Sequence, residues 1–149
     1  PAVYQFFSQQ PKDSLIASLS TEANNLPTFA RRSVLVSKES ALPYHVGYYH
    51  QMRQRALDLI RAQYTPDLAE VRRFVQTYGV DFWLLDRAAF TPEYVASHPW
   101  IRQFQSESTE VLATFAQGMI PALSTRLEQC AVFETKEFVV LEAACLANE

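Results

Sequence analysis

Short apolar runs alternate with longer segments of helical spacing along the chain, and the two periods divide it into elements. Residues 1–10 read as a short helix with Tyr4, Phe6 and Phe7 apolar, broken by Pro11-Lys12-Asp13. Residues 14–19 follow as a short buried strand, and Thr21 stands where it would cap a helix over residues 22–31. Pro27 keeps that helix short or irregular. Residues 33–37, rich in β-branched side chains, predict a second strand, and residues 38–46 a loop. Residues 47–64 are helical, with Met52, Leu59 and Ile60 near one face and Arg53, Arg55 and Arg61 among the polar positions. Thr65-Pro66-Asp67 opens the next helix, with Thr65 or Asp67 as cap and Pro66 in its first turn. That helix carries Leu68, Val71, Phe74 and Val75 on one stripe, and Gly79 ends it in a left-handed position. Residues 80–86 are the third and most apolar strand. Thr91-Pro92-Glu93 starts a short helix that His98-Pro99 ends, and a longer helical stretch over 106–130 is broken at 118–121. Residues 131–134 and 138–142 close the pattern as a hairpin.

Three strands separated by helices favour parallel pairing through right-handed crossovers. Strands that are apolar throughout fit a sheet covered on both faces. The hairpin adds antiparallel edge strands. The expected fold is therefore α/β, a three-layer sandwich with a mixed, mostly parallel sheet and a C-terminal antiparallel hairpin. The pattern leaves the strand order open.

A length of 149 residues fits one domain, and an apolar fraction of 48% supports a packed core rather than disorder. The net charge of -3 argues against a nucleic-acid partner. No apolar run reaches the ~18 residues that span a bilayer, and residues 1–10 lack the basic start and cleavage site of a signal peptide. The first residue is Pro and residues 1–7 read as the middle of an element, so either the native start was removed or, the favoured expectation, residues 1–149 are one soluble domain excised from a longer chain. Cys130 and Cys145 flank the hairpin without a zinc spacing. They are either two buried thiols or a bonded pair, the latter favoured in an oxidising compartment.

In open α/β sheets ligands gather beyond the carboxyl ends of the strands. That rule selects Ser18, Ser20, Thr21, Asn24 and Asn25 after the first strand, Lys38, Glu39, Tyr44 and His45 after the second, and Asp86 and Arg87 after the third; Ser20, Thr21, Glu39, Tyr44, His45, Asp86 and Arg87 are the ligand-binding candidates. The first loop leads into a helix start that could favour an anion, or it is simply a capped helix. Neither GxGxxG nor GxxxxGK[ST] occurs in the chain. Asp86 at a central strand end suits a hydroxyl, a cation or a base role, or an ion pair with Arg31, Arg32 or Arg87. The aromatic and imidazole cluster at 44–50 offers surfaces for a sugar or lipid headgroup, or packs on the sheet. His45 and His50 are five apart and would not share a helix face, so no metal or cofactor is expected. No G-x-S-x-G elbow occurs, and no catalytic residue is assigned. Arg53, Arg55, Arg61, Arg72 and Arg73 form either a basic patch or, with Asp58, Asp67 and Glu70 among them, a mixed solvated face.

Three stretches carry a resemblance. They are Pro11-Lys12-Asp13-Ser14-Leu15-Ile16-Ala17, then Leu26-Pro27-Thr28-Phe29-Ala30-Arg31-Arg32-Ser33-Val34-Leu35, then Tyr78-Gly79-Val80-Asp81-Phe82-Trp83-Leu84-Leu85-Asp86. Over about residues 4–90 the chain resembles the soluble C-terminal region of bacterial polytopic membrane glycosyltransferase-like proteins, the superfamily that includes oligosaccharyltransferases. The matching motifs are mostly fold-forming. The resemblance implies a domain outside the cytoplasm, packed on the membrane-embedded part of the same polypeptide. Its role would be to contact a glycan or lipid-linked sugar, or only to stabilise the enzyme. The family's catalytic acids lie in membrane-proximal loops this chain lacks, so no catalytic role carries over.

Two other readings predict different surfaces. A free-standing small-molecule-binding domain needs a concave site at Asp86, Arg87 and His45. An interaction module needs an exposed apolar patch, around Tyr4, Phe6 and Phe7 or around Trp100 and Phe104.

Overall fold

Five strands, β1 (Leu15–Ala17), β2 (Ser33–Val34), β3 (Phe82–Asp86), β4 (Ala131–Glu134) and β5 (Phe138–Glu142), form one sheet in the order β2-β1-β3-β5-β4. The structure is a computed structural model that describes residues 2–36 and 46–148, without the side chains of residues 46–49. β1 pairs in parallel with β2 and β3, while β5 is antiparallel to both β3 and β4. β4 thus runs with β3, and β5 alone is reversed. This is the mixed α/β sheet expected from the pattern, with the hairpin as one flank.

Because successive strand residues point to opposite faces, the apolar strands feed two separate cores. Ile16, Phe82, Leu84 and Val140 face a thin layer made by α1 (Ala2–Ser8), a 3₁₀ turn (Thr21–Asn25) and α2 (Leu26–Phe29), which contribute Val3, Phe7, Ala23, Leu26 and Ala30. Ala17, Trp83, Leu85, Val139 and Leu141 face the thicker layer. That layer contains α3 (Val46–Tyr64), α4 (Leu68–Tyr78), α5 (Pro92–Ser97), α6 (Gln105–Ala116), α7 (Leu127–Cys130) and α8 (Ala143–Ala147). Trp83 is the largest fully buried side chain, and its indole N–H donates to Gln63 Oε1 at 3.2 Å, so its one polar atom is satisfied.

Several boundaries differ from expectation. The first cap is Ser20, whose hydroxyl accepts from Glu22 N, and Thr21 is the first residue of the 3₁₀ turn that follows. Pro27 lies in the first turn of α2, splitting the expected helix into two short pieces. β2 covers only Ser33 and Val34, although Leu35 and Val36 remain buried beyond it. Asp67 caps α4 through Ala69 N, which places Pro66 ahead of the cap rather than inside the first turn. Gly79 takes φ 67, the left-handed closure expected of it. α8 was not anticipated.

Arg32 holds the thin layer in place. It is buried, and among the described residues its guanidinium donates only to backbone carbonyls, those of Ser8 and Gln10 at and after the end of α1 and of Ala30 and Arg31 after α2. These are the acceptors that helix ends leave unsatisfied, and a cation there also complements the helix dipoles. On the other side of the sheet, Cys130 at the end of α7 and Cys145 in α8 are joined as a disulfide, with Cα atoms 5.5 Å apart.

The aromatic side chains offered as an exposed patch pack inward. Phe7, Trp100 and Phe104 are buried. Phe6 is half-buried, stacked on Phe133 at 4.8 Å and edge-on to Phe82 at 5.9 Å. Tyr4, also half-buried, stacks on Phe29 at 5.4 Å. The residues that gave the interaction module its motive are therefore largely used by the cores.

Candidate functional site

The chain leaves β1 toward the thin layer and leaves β3 toward the thick one, where Val95 of α5 is buried. Two adjacent parallel strands whose outgoing connections go to opposite faces define a topological switch point, and a crevice forms at their carboxyl ends. The neighbours β1 and β3 meet this condition. Ser18, Ser20 and Asp86 sit there because each strand ends in polar residues once its apolar run is exhausted.

Two of the sequence-predicted residues meet at this point. Ser20 Oγ donates to Asp86 Oδ1 at 3.0 Å. Ser18 Oγ donates to the Leu84 carbonyl at 2.8 Å and accepts from Ser20 N, so the loop after β1 is tied to β3 twice. Thr21 follows directly but is exposed. Arg87 turns away toward the hairpin: it pairs with Glu134 at 3.1 Å and donates to the Thr135 carbonyl at 3.0 Å. The expected ion pair between Asp86 and an arginine is not made among the described residues, because Arg32 serves carbonyls and Arg87 serves Glu134. Glu39, Tyr44 and His45 lie outside the described residues, as do the side chains of Tyr48 and Tyr49.

Residues missed in the sequence complete the arrangement. α5 begins at the Thr91 cap and folds back over the end of β3, with Tyr94 and His98 one turn apart on the same face. Tyr94 donates its phenol proton to Asp86 Oδ2. His98 Nε2–H donates to the Leu19 carbonyl, while Nδ1 accepts from the backbone N–H groups of Trp100 and Ile101 at 3.1 and 3.4 Å. Tyr64 reaches the same region from α3 and donates to the Ala89 carbonyl at 2.8 Å.

Burial acts on the two phenols and the imidazole of this cluster. Burial, then the Asp86 hydrogen bond, pushes the Tyr94 phenol upward, so it stays a donor. Burial likewise raises Tyr64. Burial lowers His98, opposed in part by the Leu19 carbonyl and the Asp86 charge, so the ring is neutral with its proton on Nε2. Both His98 nitrogens are engaged and both Asp86 oxygens accept hydroxyl protons. The cluster therefore works as a clasp on the loops at the switch point, with its described hydroxyls, imidazole and carboxylate engaged within it.

Among the described residues, no group of three or more His, Cys, Asp or Glu side chains is placed to hold a metal ion. No described helix is long and apolar enough to cross a membrane.

No protein-family model matches the chain, and no curated protein matches it. Among solved structures, it is similar to the C-terminal globular domain of an oligosaccharyltransferase from Archaeoglobus fulgidus, with a TM-score of 0.50 and 12% sequence identity. That similarity covers 95% of this chain and 94% of the archaeal domain. At this identity it establishes a shared fold.

Proposed function

We propose that this chain is a non-catalytic domain of an integral-membrane glycosyltransferase-like protein, held outside the cytoplasm against the membrane-embedded part of its own polypeptide. The observation that carries the reading is the fold shared with the oligosaccharyltransferase domain over nearly the whole of both chains. The Cys130–Cys145 bond supports a location away from the reducing cytoplasm, where such bonds form and persist. The clasp at the switch point supports a structural rather than chemical contribution, since its hydroxyls, imidazole and carboxylate are engaged with one another and with the loop backbone. In this reading the domain braces the parent enzyme and contributes to contact with a glycan or lipid-linked sugar.

The test is to read the native gene on both sides of this segment. The expected result is a set of apolar spans of ~20 residues upstream. An open reading frame that starts within a few residues of Pro1 and encodes no such span would overturn the proposal. In a membrane-reconstituted parent, deleting this domain should lower transfer activity through stability or acceptor binding and leave the chemical step intact.

A second reading is favoured by the position of Ser20 and Asp86 at the switch point, where open α/β sheets bind ligands. In that case the chain is a free-standing small-molecule binder whose ligand lies over Ser20, Thr21 and Asp86. Amide shifts confined to those strand ends on adding a small polar ligand would favour it over the first reading.

A further inference from the structure

α3 and α4 form an antiparallel pair joined by Thr65-Pro66-Asp67. Positions 58, 61 and 62 of α3 and 70, 73, 74, 77 and 78 of α4 recur at helical spacing, so they make two facing stripes. Between the stripes lies a groove of about 300 Å³. Past Arg61 and Glu70, which line both, it continues into a second hollow of about 240 Å³ against α6. The arginines that suggested a basic patch are thus divided, and two of them share the groove with acids.

The groove has a defined chemistry. Asp58 is fixed in orientation: its Oδ2 accepts from the Tyr78 hydroxyl and its Oδ1 accepts from Gln54 Nε2 at 2.9 Å. Burial and the same Asp58 contact push Tyr78 up to about 12, so that hydroxyl remains a donor. Arg73 is exposed and makes no ion pair among the described residues. Arg61 uses one nitrogen on Glu107 at 3.0 Å and keeps its other donors. Two guanidinium groups, from Arg61 and Arg73, face two carboxylates, from Asp58 and Glu70, so the formal charge of the groove cancels. Phe74 and Ala62 give it an apolar floor.

A neutral set of strong donors and strong acceptors around an apolar floor disfavours a phosphate, which would meet the carboxylates. It suits a ligand whose hydroxyls both give and take hydrogen bonds and whose C–H face is apolar. We infer that the α3–α4 groove is a binding site for a neutral sugar, with Asp58 and Glu70 accepting from its hydroxyls and Arg61 and Arg73 donating to them. The inference stands on the groove alone and holds whatever polypeptide the domain belongs to.

The experiment is an amide-shift titration of the isotopically labelled 149-residue chain. The probes are methyl glucoside, methyl mannoside and methyl N-acetylglucosaminide, each to tens of millimolar, with glucose 1-phosphate in parallel. The expected result is saturable shifts along α3 and α4 with at least one neutral glycoside. Arg73→Gln and Glu70→Gln, both at exposed positions, should each weaken that binding about tenfold, the loss of one charge-assisted hydrogen bond, while the remaining amide spectrum is unchanged. No shift in α3 or α4 with any neutral glycoside overturns the inference. So does a stronger response to glucose 1-phosphate, which would make the groove an anion site, and so do shifts confined to the strand ends at Asp86.

Discussion

Ser20 and Asp86 are 66 residues apart in sequence and 3.0 Å apart in space, hydroxyl to carboxylate. The same Ser20 oxygen accepts from Glu22 N at 3.2 Å. One buried hydroxyl therefore starts the turn after β1 and fastens that turn to the end of β3. Ser20→Ala removes a cap and a charge-assisted bond together. The expected loss of stability is about 2 kcal/mol, read from urea unfolding. A change smaller than about 0.5 kcal/mol would show that neither bond contributes and that the clasp does not hold the crevice.

His98 should make the protein less stable in acid. Burial lowers its folded pKa below the ordinary 6.5, so the unfolded chain binds the proton more readily. Stability is then fully present above about pH 6.5 and declines as the pH falls from there toward the lower folded value. Protonation also costs the Nδ1 acceptor used by Trp100 and Ile101. Asp86 faces the ring and moderates the effect by favouring the charged form. Unfolding curves over this window should show a slope in the native protein that His98→Gln lacks. Equal slopes would place the acid sensitivity elsewhere.

Reducing the Cys130–Cys145 bond should destabilise the chain by about 3 kcal/mol, the chain-entropy value for its separation of 15 residues. The loosening should be local first. α8 packs through Ala143 and Leu146, both buried, and the bond ties it to the start of β4. Hydrogen exchange in reductant should therefore rise in α8 before it rises in β3. Uniform exchange across the sheet would mean that α8 is held by packing alone.

Arg32→Lys is expected to be severe although it keeps the charge. The five donors of a planar guanidinium reach carbonyls at the ends of two helices, and an ammonium has three donors at one point. At least one buried carbonyl loses its partner, at a cost of about 2 to 3 kcal/mol. Thermal unfolding of the variant checks this, with Arg31→Lys at the exposed neighbouring position as control. Equal melting temperatures for the two variants would remove the clip from the account.

What could be read from the sequence follows from how local each cause is. The apolar run at 80–86, the Asp67 and Thr91 caps and the Gly79 stop all act through neighbours, and they lie close to where the pattern put them. The hairpin was equally plain. The β2-β1-β3 order was not, because it depends on which faces the crossover helices cover. α8 was missed because Ala143–Ala147 is short and follows directly on a strand, so periodicity has too few residues to register. At the crevice, Ser20 and Asp86 were found through the strand-end rule. Tyr94 and His98 were not, since they reach it only when α5 turns back. The contact of Arg87 with Glu134 was not legible, because its partner lies 47 positions away along the chain.

The central place of β3 also bears on how the chain is made. Each core takes two of its sheet residues from this strand, Phe82 and Leu84 on one face and Trp83 and Leu85 on the other. Until it has emerged from the ribosome, β1 has only the two-residue partner β2, and neither face has a centre to collapse on. Residues before 80 therefore accumulate as a nascent segment with unburied apolar stripes, exposed to chaperones or to self-association. Completion of β3, followed by the hairpin, then supplies the sheet face that each layer packs on, so a chain halted before residue 80 is expected to expose both apolar faces at once.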